Sequence, residues 1–442
     1  MMHVWHLLKC ISYNYHIRID KAATQAAGIG TNDVCIQRVS LWRNRDYLLL
    51  VSGQGISEFG TQISDLAFIL LVLMLTGSPA QVGFVGALET LPIIILSLPA
   101  GAMVDRWDRR HVMIFCDTER ALILASIPIA LALGHLTIVQ IYITALLEPT
   151  LGVFFDLAER ASLPRVVEQK QLPVVSSQNQ AITYTAALIG PSISGAIYSL
   201  GRAFPFLADA LSYVVSVASL LFIKTPLQEE RHSEPRKLWV EIKEGFWWLW
   251  NHRLLRFMTF VVGGLNLTVA GIYLIMVVLA QHLHASPFVI GLIFGIGSIG
   301  GIAGALVGPY IQKRLSYGQA LISICWFTAL IWPLFVLAPN LAVLGMLFAL
   351  YLIGGRVMSV VNFSYRVAIT PNELQGRVTG IGGVIVFGSI PLGVALTGIL
   401  IQKFGVVATV LIISGARIFI AAVTTLNSSV RNAPTGASGQ VK

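Results

Sequence analysis

The chain has 442 residues, 55% apolar and 12% charged, with 30 Lys+Arg against 21 Asp+Glu. A soluble domain carries about 25% charged residues. This chain therefore has too little charge to cover a water-facing surface of its size, which excludes an ordinary soluble protein and makes lipid its natural solvent.

Residues 1–43 come before the first long apolar stretch. Lys9, Arg18 and Lys21 interrupt them, and no run is long enough for a signal-peptide core, so they read as a cytoplasmic N-terminal tail. His3, His6 and His16 are too scattered to hold a metal. A helix needs about 20 apolar residues to cross a bilayer, and the chain offers twelve such stretches: roughly 46–75, 81–104, 111–133, 137–159, 173–200, 204–224, 255–283, 287–312, 317–338, 341–369, 374–402 and 406–425. They are rich in Leu, Ile, Val, Ala and Gly without period-2 alternation, which predicts helices rather than barrel strands. Spans 1–6 form an N-terminal bundle (44–224) and spans 7–12 a C-terminal one (254–425), followed by a C-terminal tail (426–442).

Placing the N-terminus in the cytoplasm leaves only Arg202 and Lys403 in outside connections. Arg120, Arg356 and Arg417 fall within spans, and the other 25 Lys and Arg lie inside. This is the distribution that membrane insertion imposes, so the basic excess is topological, both termini are expected in the cytoplasm, and nucleic acid is not a partner. Between the bundles, residues 225–253 begin polar and then place Trp239, Lys243, Phe246, Trp247 and Trp250 at helical spacing, the pattern of a helix lying in the membrane interface; a partner-binding helix is the alternative. Cys10, Cys35, Cys116 and Cys325 form neither a CxxC pair nor a ligand cluster.

The halves resemble each other weakly. Gly101-Ala102-Met103-Val104 lines up with Gly304-Ala305-Leu306-Val307, and Arg160 with Pro164 is echoed by Arg366 with Pro371. An offset of about 200 residues implies two six-helix pseudo-repeats, and such repeats place a substrate near the membrane midplane. Gly308 stands where Asp105 would be repeated, so the charged turn after span 2 exists once.

That turn, GAMVDRWDRR from Gly101 to Arg110, resembles the loop between helices 2 and 3 of the major facilitator superfamily. Leu75-Thr76-Gly77-Ser78-Pro79, Leu163-Pro164-Arg165, Asn179 onward with Gly190-Pro191, Asp209-Ala210-Leu211-Ser212-Tyr213, Thr370-Pro371 and Gly376-Arg377-Val378 are similar to the subgroup containing the enterobactin exporter and the macrolide-efflux proteins. The likeness spans roughly 46–425. It implies a conformational switch at Gly101, Asp105, Arg106, Arg109 and Arg110. There Asp105 would meet the positive end of a helix dipole, and the arginines would bind phosphates or carboxylates across the interface. A purely topological role for these charges is the alternative. The resemblance also implies that Gly190, Pro191 and Gly195 form the span 5 motif ascribed to antiport, here without its usual upstream glycine. Close packing and a proline bend would explain the same residues.

Ionisable side chains inside a bilayer are functional candidates, and by the resemblance spans 1, 4, 7 and 10 line the cavity. Span 1 supplies Glu58 and Asp65, seven residues apart and so within about 20° of one face. Span 4 supplies Glu148, and Glu89 lies on span 2. These four are the proton-coupling candidates, because a carboxyl in a low-dielectric cavity can load and release a proton. The competing reading pairs Glu58 or Glu148 permanently with Arg356. Asn266, Tyr273, Arg356 and Asn362 are the polar candidates of the opposite wall. Asp117, Glu119, Arg120, Asp156, Glu159 and Arg160 read as a cytoplasmic charge network, Asp209 as structural, and Arg417 has no evident partner.

The function expected is secondary transport: export of a small amphiphilic molecule, drug-, macrolide- or siderophore-like, across a bacterial inner membrane in exchange for protons, by a monomer without cofactor or metal. Lysophospholipid or metabolite transport, or sensing without transport, are the alternatives. No GxxxxGK[ST] loop provides for ATP, and nothing resembles a nucleophile–base pair, so an enzyme is not expected.

Overall fold

The computed structural model describes residues 41–228, 238–370 and 375–431. The tail to residue 40, the polar start of the linker (229–237), Pro371 and the C-terminal tail from 432 lie outside the described residues.

Among the described residues the chain is helical, without a strand. After a short 3-10 turn at Leu41–Arg43 come α1 (Arg45–Thr76), α2 (Pro79–Val104), α3 (Arg109–Ala132), α4 (Ile138–Val166), α5 (Leu172–Leu200) and α6 (Phe204–Phe222). The linker holds α7 (Leu238–Asn251). The second half comprises α8 (Arg253–Val269), α9 (Ile272–His282), α10 (Pro287–Arg314), α11 (Tyr317–Leu334), α12 (Leu341–Ile369), α13 (Gln375–Leu426) and the short α14 (Ser428–Arg431). Nine described segments are long and apolar enough to cross a membrane. α3 and α5 have spanning length, 24 and 29 residues, but are more polar. Expected span 7 is divided into α8 and α9. Expected spans 11 and 12 run together in α13 and are separated only by Gly405, whose φ of 78° is a conformation glycine adopts without the usual steric cost.

The helix starts are written locally. Ser78, Asp108, Thr137, Ser286, Ser316 and Asn340 each accept a hydrogen bond from the backbone N–H three residues on. Each such cap contributes about 1 kcal/mol. Pro79 and Pro287 follow their caps at the first helical position, where the missing N–H is harmless.

Large apolar side chains face outward along the helices, such as Phe115, Leu122 and Ile129 at seven-residue intervals on α3 and Leu211, Val214 and Leu221 on α6. Exposure on this scale is a liability in water and ordinary in lipid. Inside, small residues let backbones approach. A β-carbon on Gly53 or Gly60 of α1 would overlap Ser219 or Ser212 of α6. The glycines of α10 serve two faces: Gly291 and Gly295 meet α5, whereas Gly297, Gly300, Gly304 and Gly308 meet α12.

The halves join where α5 crosses α10 and where α2 crosses α13. A β-carbon on Gly195 would overlap the Pro287 carbonyl, and one on Gly291 the Pro191 carbonyl. Ser192 Oγ donates to the Gly291 carbonyl at 3.2 Å and Ser298 Oγ to that of Ala187 at 2.9 Å. At the other crossing Gly398 lies against the Pro79 carbonyl and Gly83, and Ser78 Oγ donates to Gln402 Oε1 at 2.9 Å. The Gly83–Gly398 and Gly195–Pro287 contacts and the Ser78 bond sit at the Gly77 end of the helices, opposite the charged turn.

Candidate functional site

A cavity of about 280 Å³ opens within the first half and is lined only by α1–α4. Glu58 and Asp65 of α1, Glu89 of α2, and Glu148 and Asp156 of α4 all reach it, together with Arg120 of α3. The four acids singled out from sequence thus share one space, although they come from three helices. Asp65 is solvent-accessible yet deep in the protein, so it faces the cavity.

Glu148 does not pair with Arg356. Its Oε1 accepts from Arg120 Nε at 2.8 Å and Nη2 at 2.5 Å, and from the Tyr213 hydroxyl at 2.8 Å. The Arg120 guanidinium also lies 4.1 Å from the Tyr213 ring centre and 3.5 Å from Asp117 Oδ1, and Tyr213 reaches Thr61 Oγ1 at 3.0 Å. Arg120 is 8% exposed. A cation so placed needs an anionic partner because desolvation of a lone charge costs several kcal/mol. Arg120 and Asp156 therefore belong to the cavity rather than to a cytoplasmic network. By the expected spans Arg120 is the one cation inside the first half, a signal that could have pointed to an in-span acid as its partner, but helix packing decides which acid. Glu159 is buried and accepts from Gln54 Nε2 at 2.6 Å. Asp209, 1% exposed, accepts from Ser64 Oγ at 2.5 Å.

By contrast, Asp65 and Glu89 have neither an ion pair nor a hydrogen bond among the described residues. The Gln62 amide, one turn along α1, lies beside Glu58. Within the cavity the five acids thus divide into Glu148, clamped by a cation, Glu58, beside an amide, and Asp65, Glu89 and Asp156, which have no ion pair or hydrogen bond among the described residues.

The candidates of the second half divide differently. Tyr273 is 49% exposed, backed by Phe294 and Phe348 with ring centres 5.2 and 6.2 Å away, and lies within electrostatic range of both Asp65 and Arg356. Arg356 stands 5.4 Å from the Tyr184 ring of α5. Asn266 and Asn362 do not face the acids. Asn266 donates to the Val386 carbonyl at 3.1 Å, and Asn362 accepts from the Tyr317 hydroxyl at 2.6 Å, each joining neighbouring helices of its own half. Arg417 finds partners that the sequence did not reveal. It donates to Thr268 Oγ1 at 2.9 Å and lies 5.3–5.5 Å from the Tyr351 and Trp332 ring centres.

In the charged turn, Asp105 is not at a helix start. It follows the last residue of α2, and Asp108 caps α3 by accepting from the His111 N–H at 2.9 Å. Burial opposes ionisation of Asp108, but its hydrogen bonds to His111 and the charge there outweigh this and hold the carboxyl below the usual range. Arg106 is exposed, and no other element approaches the place of a Gly101 β-carbon within 4 Å among the described residues. Among the described residues Arg109 and Arg110 donate to backbone carbonyls: Ala161 at 2.8 Å and Leu227 of the linker at 3.3 Å for Arg109, Leu221 at 2.7 Å for Arg110. In α5, a β-carbon on Gly190 would crowd Gln62, while Pro191 and Gly195 lie at the crossing with α10.

Comparison with known proteins agrees with this architecture. The multidrug efflux pump Tap of Mycobacterium tuberculosis is 26% identical over 80% of this chain and 86% of its own. Macrolide efflux protein A of Streptococcus pyogenes is 23% identical over 84% of this chain and 93% of its own. A bacterial homologue of the iron transporter ferroportin, 15% identical, superposes in its inward-facing state with a TM-score of 0.70 over 87% of this chain and 98% of that one. In its outward-facing state, at 17% identity and 86% and 98% coverage, the score is 0.55. The sequence profile described as transmembrane secretion effector matches residues 41–439, and the chain belongs to that family: it is a multi-pass membrane transporter of the major facilitator type, not an enzyme.

Proposed function

We propose that this protein exports a small amphiphilic organic molecule across a bacterial inner membrane in exchange for protons, by alternating access of a site between two six-helix units. In this reading the chain spans the membrane twelve times with both termini in the cytoplasm, and α7 lies in the cytoplasmic interface. The observation that carries the proposal is the membrane-embedded cavity in which Asp65 and Glu89 carry no partner while Arg120 clamps Glu148. Glu148 is fixed by a guanidinium and a tyrosine hydroxyl, whereas Asp65 and Glu89 have no bonded partner to displace before a proton or ligand reaches them. Asp65 and Glu89, with Glu58 beside them, are therefore the proton carriers, and Glu148 is the counter-ion of Arg120.

Export is supported by the relatives, whose names describe multidrug and macrolide efflux. Alternating access is supported by the glycine-tight seam at the Gly77 end and by the better superposition on an inward-facing transporter than on its outward-facing state. The test is expression in an efflux-deficient, drug-sensitive host, with accumulation of a dye and a macrolide measured with and without a proton uncoupler. Lower accumulation that the uncoupler reverses is expected; accumulation unchanged for every compound would refute export.

A further inference from the structure

The cavity's charge is one-sided. Five carboxylates reach it against one guanidinium, and that guanidinium is committed to Glu148 and, more loosely, to Asp117. Glu58, Asp65, Glu89 and Asp156 are left with no cation among the lining residues. The second half adds nothing anionic: between residues 254 and 426 the sequence holds a single acid, Glu373, against eight Lys and Arg. A cavity lined by one sign of charge, with low-dielectric walls, concentrates ligands of the opposite sign.

An aromatic group of the second half, outside the cavity lining but within electrostatic range of Asp65, points to the form of the cation. Tyr273 is the half-exposed member of an aromatic trio whose other rings, Phe294 and Phe348, are buried, and its hydroxyl is in range of Asp65. An aromatic ring and a carboxylate within reach of one ligand can together hold an ammonium group or a delocalised organic cation. The carboxylates are spread along the cavity; among the described residues no three His, Cys, Asp or Glu side chains are grouped closely enough to hold a metal ion. Arg356, also in range of Tyr273, repels a second cation from the far wall. A ligand would then lie with its positive end toward α1 and α2 and its apolar body toward the second half.

We propose that the substrate class is the organic cation: an aromatic or amphiphilic amine or quaternary ion whose charge is taken by Asp65 and Glu89 and whose ring system rests on Tyr273. This rests on reading the cavity as the transport site. Cation and proton then compete for the same two carboxylates, so that binding of one expels the other.

The experiment is equilibrium binding to the purified full-length protein in detergent, without any gradient. The probes are ethidium, whose positive charge does not titrate, and fluorescein as an anion of comparable size. Ethidium is expected to bind and fluorescein not. Asp65→Asn and Glu89→Gln should each weaken ethidium by roughly thirtyfold, the low end for removing one partner of a desolvated charge pair, while Asp65→Glu keeps binding and Glu119→Gln, outside the cavity lining, changes nothing. Tyr273→Leu should weaken ethidium by a smaller factor than either acid variant. The two acid substitutions lie on different helices, so misfolding of one variant leaves the other as the test. Fluorescein binding as tight as ethidium, or ethidium binding indifferent to both acid substitutions, would overturn the proposal. Uncoupler-sensitive export of a neutral compound would survive that outcome, so failure here is distinct from failure of the exporter reading.

Discussion

Replacing Arg120 by Met should destabilise the protein strongly, and replacing Glu148 by Gln in the same chain should restore most of the loss. The side chains of the pair are only 10% and 14% exposed, and two guanidinium hydrogen bonds converge on one carboxylate oxygen. Removing one member of such a pair leaves an uncompensated buried charge, at a cost of about 3–5 kcal/mol, whereas removing both is often close to neutral. For an unfolding unit of about 150–250 residues, 1 kcal/mol corresponds to about 2–4 °C in Tm, so the single variant should melt roughly 6–20 °C lower. The assay is thermal unfolding in detergent followed by tryptophan fluorescence, with all four members of the double-mutant cycle measured at one heating rate. If the double variant fell by the sum of the two single losses, or if Arg120→Met melted with the wild type, the clamp would not be the interaction that fixes Glu148.

Further outcomes follow from the same geometry. Gly195→Leu and Gly398→Leu each place a side chain where a backbone now lies, so the Gly77-end seam cannot close. Efflux should fall at least about tenfold (some 1.4 kcal/mol) with normal membrane expression, and a cysteine introduced as Ser298→Cys should become more reactive to an impermeant maleimide applied from outside; unchanged labelling and efflux would remove the seam from the mechanism. Tyr213→Phe deletes one hydrogen bond to a charged acceptor, worth about 1.5–3 kcal/mol, and should lower the melting temperature without abolishing ethidium binding. Asp108→Ala removes the α3 cap and should cost about 1 kcal/mol, while Asp108→Asn, which still accepts from His111, costs less. Because the Asp108 carboxyl is held below its ordinary value of 3.8, the stability owed to its charge is complete above that pH and is lost as pH falls through the lower folded-state value. A wild-type advantage over Asp108→Asn that changed near neutrality would contradict this.

Much of the fold was legible because the bilayer imposes it: long apolar runs must be helices. That Glu58, Asp65 and Glu148 would reach a cavity was legible from their places on spans 1 and 4, since ionisable groups inside a bilayer are functional candidates; Glu89, on a span not expected to line it, and Asp156, read as part of a cytoplasmic network, were placed there only by helix packing. Partner choice was not legible. Arg120 and Glu148 are 28 residues apart on different helices, and only packing of α3 against α4 and α6 brings the guanidinium to that carboxylate rather than leaving it for Arg356. Arg417 escaped because its partners are two ring faces and a hydroxyl, which no charge pattern encodes. Asp105 and Asp108 are three residues apart in one turn, and the helix start falls after the second; a one-turn displacement of that boundary transferred the capping role between them. Asn266 and Asn362 were expected in the cavity because the resemblance has spans 7 and 10 lining it, but span membership does not fix azimuth, and their side chains bond to neighbouring helices.

The central claim is that carboxylates free of partners inside the membrane couple a proton gradient to outward movement. It is tested most directly in proteoliposomes of one orientation, by imposing a pH difference and following ethidium flux together with proton flux for the wild type and for Asp65→Asn with Glu89→Gln. The account predicts proton-driven ethidium movement in the wild type and none in the double variant, which should still fold and melt normally. Gradient-driven flux that persisted in the double variant would contradict it.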